Sequence, residues 1–290
     1  MVMRRRKFLQ VAGAATGALL LPRTELIARA SSDSTCDSQG VLVDLTKCIG
    51  CGWCQQACSQ QNDLSPEEIR NWSVDQDPLP LSASTWTLVT FEETATNERV
   101  FAKRQCMHCL HPACVSACPV SALEKSECGA VVYDAARCIG CRYCMVACPF
   151  EIPKFEWDKT IPLIRKCTFC ADRQVDGLEP ACTSACPTGA LLFGDRAALV
   201  TEAKARIEEH PDQYVNHIYG KEELGGTSWM YLSPVPFAEL GFPTLGEQTV
   251  TGLSETVAMF GTPSIALGVA LLLSSIYYRS KSKAGAHASE

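Results

Sequence analysis

The chain has 290 residues, a formal charge of −6 and 18 cysteines. That length allows one or two packed domains with appendages, and the acidic balance excludes nucleic-acid binding, which needs a clustered basic face. Cysteine at this density means disulfides, zinc or iron–sulfur clusters. Disulfide scaffolds are shorter chains whose cysteines do not recur at i, i+3, i+6.

Residues 1–30 form an export leader by pattern. "RRRKFLQ" precedes the apolar stretch Val11 to Leu21, and Ala28-Arg29-Ala30 supplies an A-x-A cleavage signal. The stretch is short for a bilayer span and has the length of a signal core. Arg5-Arg6-Lys7-Phe8-Leu9 resembles a twin-arginine (Tat) signal. Such a signal suits a protein that must take up metal and fold before export. Its removal takes six basic groups and one acidic group, which moves the net charge from −6 to −11.

The body is expected over 31–230. "VLVDL" is the first half-buried strand. The first cysteine group follows: Cys48, Cys51, Cys54 and Cys58. Gly50 lets its backbone wrap closely around a ligand. Residues 61–98 have few long apolar runs and are expected as a loop-rich insertion. Cys106, Cys109, Cys114 and Cys118 make the second group, and "VSALEKSECGAVVYD" after it predicts strand, turn and strand. The third group is Cys138, Cys141, Cys144 and Cys148, with Gly140 in the place of Gly50. The fourth is Cys167, Cys170, Cys182 and Cys186, followed by a strand in "TGALLFGD". Groups one and three align closely, "VDLTKCIGCGWCQQAC" against "YDAARCIGCRYCMVAC", and each predicts a loop followed by a short helix carrying the fourth cysteine.

In C-x₂-C-x₂-C-x₃-C-P, three thiolates sit on one loop around a cube. The fourth points away and ligates the other cluster of a two-cluster module. Each group is therefore part of two sites. Groups two and three are neighbours that complete each other, which leaves groups one and four to pair across them. Cys138, Cys141, Cys144 and Cys118 are expected to hold one [4Fe–4S] cluster, and Cys106, Cys109, Cys114 and Cys148 a second. Cys48, Cys51, Cys54 and Cys186 hold a third, and Cys167, Cys170, Cys182 and Cys58 a fourth. Zinc sites use two C-x₂-C pairs and do not give these triples. Two spacings are longer, with four residues between Cys109 and Cys114 and eleven between Cys170 and Cys182. Cys36 and Cys128 fall outside the pattern and are expected as free or buried thiols.

Between the cysteines, Trp53 and Tyr143 are expected to pack over clusters, with Ile49, Ile139 and Val115 excluding water. Lys103, Arg104, Arg137, Arg142, Arg165 and Lys166 either offset cluster charge or form a solvated face. His108 and His111 stand inside a complete ligand set, so structural hydrogen bonding is their expected role.

Beyond the body, 231–256 is Pro- and Gly-rich and predicts an extended strap. Val257 to Tyr278 carries no charge. Its 22 residues would reach about 33 Å as a helix, enough to span a bilayer. Arg279, Lys281 and Lys283 follow it, which would put the tail 279–290 in the cytoplasm and the body on the periplasmic side of the membrane. The fold class expected is α+β: two ferredoxin-like two-cluster modules with inserted loops and one C-terminal transmembrane helix.

"QCMHCLHPACVSACPVSAL", "CIGCRYCMVACPFEIPKF" and "KCTFC…PACTSACPTGALLFG" resemble the four-cluster ferredoxin-type subunits of membrane oxidoreductases. That family includes the β subunits of formate dehydrogenase, nitrate reductase and dimethyl sulfoxide reductase, and the hydrogenase branch is the most similar. The resemblance implies an electron-transfer subunit, not itself a catalyst, between a large catalytic partner and an integral, quinone-reactive membrane subunit. It implies that the group one/four pair faces the catalytic partner and the two/three pair the membrane. A leader of its own favours a nickel–iron hydrogenase as partner, with formate dehydrogenase or a related molybdopterin oxidoreductase as the alternative. A self-contained iron–sulfur reductase is the other class. The chain carries no G-x-G-x-x-G and no P-loop.

Overall fold

The computed structural model describes residues 39–64, 80–94, 99–256 and 260–286. The expected leader, Cys36 and part of the 61–98 insertion lie outside these residues. In chain order the elements are β1 (Gln39–Asp44), α1 (Trp53–Gln61), β2 (Leu88–Glu93), β3 (Arg99–Arg104), α2 (Ala113–Ser116), β4 (Leu123–Lys125), β5 (Val131–Tyr133) and α3 (Tyr143–Ala147). They continue with β6 (Lys154–Phe155), β7 (Ile164–Arg165), α4 (Ala171–Val175), α5 (Ala181–Ser184), β8 (Leu191–Asp195), α6 (Arg196–Glu209), β9 (Trp229–Leu232), α7 (Thr251–Thr256) and α8 (Thr262–Ala286).

β1 is the centre of a three-stranded sheet, with β8 antiparallel on one side and β9 parallel on the other. Successive side chains of a strand point to opposite faces. Val41 and Val43 enter one core with Trp229 and Tyr231, and Leu42 enters a second with Met230, Leu232, Leu199 and Ala203. Both faces of β1 are covered, so its sequence is an apolar run and not an alternation. α6 supplies the second cover. It starts at Asp195, whose side chain accepts a hydrogen bond from the Ala198 amide at 2.7 Å. Arg206, near its end, donates to the buried Asp44 carboxylate at 3.0 Å, where Tyr214 also donates at 2.9 Å.

Three antiparallel hairpins, β2–β3, β4–β5 and β6–β7, surround this sheet. The first rises from the segment expected as a loop-rich insertion. Residues 231–256 also contribute to the body. Phe237, Leu240 and Phe242 are buried, and the Phe242 ring packs against Tyr219 at 4.9 Å and Tyr231 at 5.0 Å. Arg104 lies over the same ring at 3.6 Å.

The membrane helix of the expected fold does not hold. Among the described residues no helix is long and apolar enough to cross a membrane. α8 begins at Thr262 and not at Val257, and it runs on through Arg279, Lys281 and Lys283. Its apolar run Ile265–Ile276 reaches only about 18 Å as a helix, against about 30 Å of hydrocarbon. Val257–Met259 lie outside the described residues. The single-pass anchor falls with the span, and so does the anchored localisation with a cytoplasmic tail. What remains is a mixed α/β body of short elements, consistent with ferredoxin-like domains.

The β6–β7 hairpin is held by one carboxylate. Glu156 accepts from Lys159 Nζ at 2.8 Å, Arg165 Nε at 2.7 Å and the Leu163 amide at 3.1 Å. Burial pushes its carboxyl up, but these donors outweigh burial and hold it below its ordinary value. A depressed folded pKa gives stability that is present above the unfolded value and lost as pH falls through the folded one. Glu156→Gln is expected to destabilise the hairpin by about 1–3 kcal/mol at neutral pH. The deficit should be constant from pH 8 to 6 and should shrink below about pH 4.3. Pulsed hydrogen exchange at the Ile164 and Arg165 amides measures it; a deficit that grows on acidification would reverse the assignment.

Candidate metal centres

The four cysteine groups share one backbone device. The residue just before the second cysteine of each group is left-handed: Gly50 (φ 68°), His108 (48°), Gly140 (70°) and Phe169 (61°). Only glycine takes this conformation freely, and an L-residue there costs about 1–2 kcal/mol. Two groups bear that cost, so the turn is required. It points backbone amides at the sulfurs: Gly140 N donates to Cys138 Sγ at 3.4 Å and Phe169 N to Cys167 Sγ at 3.4 Å. Ala122 N does the same for Cys118 at 3.1 Å, and the Asn62 side chain donates through Nδ2 to Cys58 Sγ at 3.6 Å. Donors to cluster sulfurs tune potential. The third cysteine of each group sits in a helix: Cys54 in α1, Cys114 in α2, Cys144 in α3 and Cys182 in α5. Cys58 is one turn further along α1. Cys118, Cys148 and Cys186 lie just past their short helices; the sequence predicted Cys148 within its helix.

Burial and neighbouring thiols report which cysteines face one another. Burial pushes the thiols of Cys54 and Cys58 up to about 12. Beyond burial, Cys54 feels Cys182, Cys48 and Cys51, and Cys48 feels Cys186 and Cys51. Cys58 feels Cys182 and Cys170. Cys114 is pushed up to about 12 by burial and then by Cys106, Cys148 and Cys144. Cys144 rises to about 11 by burial and then by Cys138, Cys141 and Cys118. Such thiols stay protonated without metal, so loading iron displaces protons.

Two cavities make the grouping concrete. One is lined by Cys48, Cys51, Cys54 and Cys186. The other is lined by Cys58, Cys167, Cys170 and Cys182. Each draws cysteines from groups one and four, more than a hundred residues apart in sequence. Among the described residues no three His, Cys, Asp or Glu side chains close on a single metal ion; the sulfurs stand around cavities. The donor set also fits a sulfur-rich guest by an orphan: Trp229 Nε1–H is buried without a protein partner and Trp229 lines the second cavity.

Thiols of different groups also sense one another: Cys54 feels Cys182, Cys167 feels Cys106, and Cys114 feels Cys144. Cys51 and Cys141 are exposed.

Other singled-out residues divide. Trp53 is 58% exposed and Tyr143 62%, with Ile49 and Ile139 exposed beside them, so these side chains face outward. Lys103 and Lys166 are buried, whereas Arg137 and Arg142 are exposed. His108 is buried, stacked on Phe169 at 5.0 Å, and its Nδ1 accepts from the Val131 amide at 2.8 Å. Cys128 is half-buried, outside all four sets. Sequence reasoning missed Lys125, whose ammonium donates to the His108 and Gly129 carbonyls, and Trp229. Trp229 lies far from any cysteine in sequence, and Lys125 stands near Cys128, outside the four groups.

Comparison with known proteins agrees with this geometry. A 4Fe–4S dicluster domain matches residues 97–196 and a 4Fe–4S binding domain residues 41–60. A protein of Nitratidesulfovibrio vulgaris is 42% identical over 97% of this chain and 78% of its own length. The hydrogenase-2 operon protein HybA of Escherichia coli O157:H7 is 35% identical over 88% of both chains. The formate dehydrogenase-O iron–sulfur subunit of Escherichia coli K12 is 40% identical over 66% of this chain and 65% of its own. The chain carries multiple [4Fe–4S] clusters and belongs to the family of 4Fe–4S electron-transfer subunits of oxidoreductase complexes that includes HybA.

Proposed function

We propose that the chain is a four-cluster relay. The ligand sets are Cys48/51/54/186, Cys58/167/170/182, Cys106/109/114/148 and Cys118/138/141/144. When bound, the clusters supply reversible one-electron transfer. The protein's own residues hold them in line, exclude water from the two inner sets and bring an exposed thiol to each end. The single observation that carries this reading is the continuous chain of mutually sensed thiol sets, ending at Cys51 and Cys141. Nothing in that arrangement needs a substrate pocket, so the chain relays and does not catalyse.

The partners we propose are the catalytic subunit of a nickel–iron hydrogenase and a quinone-reactive membrane subunit. Support comes from the HybA relative, whose similarity spans most of both chains, whereas the formate dehydrogenase relatives match two thirds. The Cys51 end, with exposed Trp53 and Ile49, is assigned to the catalytic partner and the Cys141 end, with Tyr143 and Ile139, to the membrane subunit. Exposed aromatics of this kind anchor interfaces. Purification of the complex from detergent-solubilised membranes is expected to bring nickel and hydrogen-dependent quinone reduction. Trp53→Asp should release the nickel subunit while leaving iron in the relay. Molybdenum or tungsten with formate-dependent reduction would replace the hydrogenase with formate dehydrogenase.

A further inference from the structure

Lys103 lies on β3 with 2% of its surface exposed. A buried ammonium costs several kcal/mol unless something compensates its charge. Its protein neighbours do this only in part. Nζ donates to Gln105 Oε1 at 2.9 Å and sits 4.4 Å from the centre of the Trp229 ring, whose face attracts a cation. The titratable groups that face it are Cys182, Cys54, Cys167 and Tyr231. The Tyr231 hydroxyl is already engaged, donating to the Lys103 carbonyl at 3.0 Å. Among the described residues no aspartate or glutamate pairs with this ammonium.

Two other buried or half-buried lysines near the cysteines differ. Lys166 donates to the Val131 and Cys167 carbonyls, and Lys125 to those of His108 and Gly129. Their charge is spread over backbone acceptors. Lys103 has no such acceptor, and its side chain lines both cavities, the one bounded by Cys48, Cys51, Cys54 and Cys186 and the one bounded by Cys58, Cys167, Cys170 and Cys182. One cation thus stands between two cages of four thiolates.

We propose that Lys103 is the shared counter-cation of these two clusters and sets their potentials together. The inference rests on the ligand sets proposed above. Each cluster takes one electron from its redox partner with no bond made or broken, and its net charge becomes more negative by one. A fixed positive charge favours the more negative state. Acting on both cages, it raises both potentials in parallel and leaves the difference between them unchanged. Gln105 and Trp229 are the positioning residues for the ammonium.

The test is an anaerobic redox titration of the full chain, followed by electron paramagnetic resonance. Lys103→Met keeps the length of the side chain and removes the charge. At a fixed ambient potential the reduced-to-oxidised ratio of two clusters is expected to fall about tenfold, which is about 59 mV for a one-electron couple. The other two should change less than about twofold, and Lys103→Arg should restore the wild-type ratios. A shift confined to one cluster, an equal shift in all four, or no shift would overturn the proposal. Should Lys103→Met fail to retain iron at the two sites, retention in Lys103→Arg supports the role of charge; loss in both variants shows a packing role and overturns it. Fewer than four clusters in the wild-type protein would strike at the ligand sets, an outcome distinct from failure of the Lys103 effect.

Discussion

Cys148→Ser is expected to disrupt the cluster of Cys106, Cys109 and Cys114, and to leave that of Cys138, Cys141 and Cys144, its neighbours in sequence, in place. The reason is local geometry. α3 ends at Ala147, and the chain then turns so that the Cys148 thiol senses Cys106, burial being the larger influence that pushes it up to about 11. Cys118 makes the reciprocal crossing toward Cys144. Exchanging a thiolate for a hydroxyl removes a soft ligand from one iron. About a quarter of the iron is at risk if that cluster is lost outright, since four clusters share it equally. Iron and sulfide analysis with electron paramagnetic resonance gives the readout. Loss of the Cys138/Cys141/Cys144 signal alone would sink the crossed assignment.

The second large effect is expected at Gly50. A Cβ there would stand 2.4 Å from the Phe101 ring, and the backbone is left-handed besides, at φ 68°. Gly140 has nearly the same φ, 70°, in the equivalent loop, yet a Cβ there meets nothing within 4 Å. Left-handed strain costs about 1–2 kcal/mol at either position. Overpacking adds about 1–3 kcal/mol at Gly50 only. Gly50→Ala should therefore lose about twice as much stability as Gly140→Ala, and with it iron from the Cys48/51/54/186 set. Chemical denaturation of the two variants makes the comparison. Adding Phe101→Leu to Gly50→Ala should recover part of the loss; equal behaviour of the two glycine variants would show that the ring does not confine the loop.

Much of the site was legible in the sequence because cysteine spacing is a direct record of ligation geometry. The crossed sets are expected from the C-x₂-C-x₂-C-x₃-C spacing of groups one and three together with the neighbourhood of groups two and three. Strands β1, β4, β5 and β8 were legible because short apolar or β-branched runs bounded by turn residues lie beside the cysteine groups. The β2–β3 hairpin was not. Thr90, Phe91 and Phe101 carry a strand signal, but polar residues between them hide it, and tertiary pairing decides. Trp53 and Tyr143 were expected over clusters, since aromatics most often bury their area. They open α1 and α3 and, among the described residues, stand largely exposed. The span 257–278 was long enough by count, but a count cannot see where the helix begins. The helix starts only at Thr262, and it runs on through the basic residues after Tyr278, so its apolar run is shorter than the count suggests.

The uneven burial of the cysteines has a consequence for how the protein ages in air. Cys51 and Cys141 are open to solvent, whereas Cys54, Cys58, Cys106, Cys114, Cys167, Cys170 and Cys182 are enclosed. In the proposed relay a small oxidant arriving from solution would meet the sets of Cys51 and Cys141 first, because exposed sulfur is the most readily oxidised. Damage would then travel from the extremities toward the middle. The chain goes deaf to its partners while its interior is still intact, so an aerobically handled sample can keep its brown colour after it has stopped conducting.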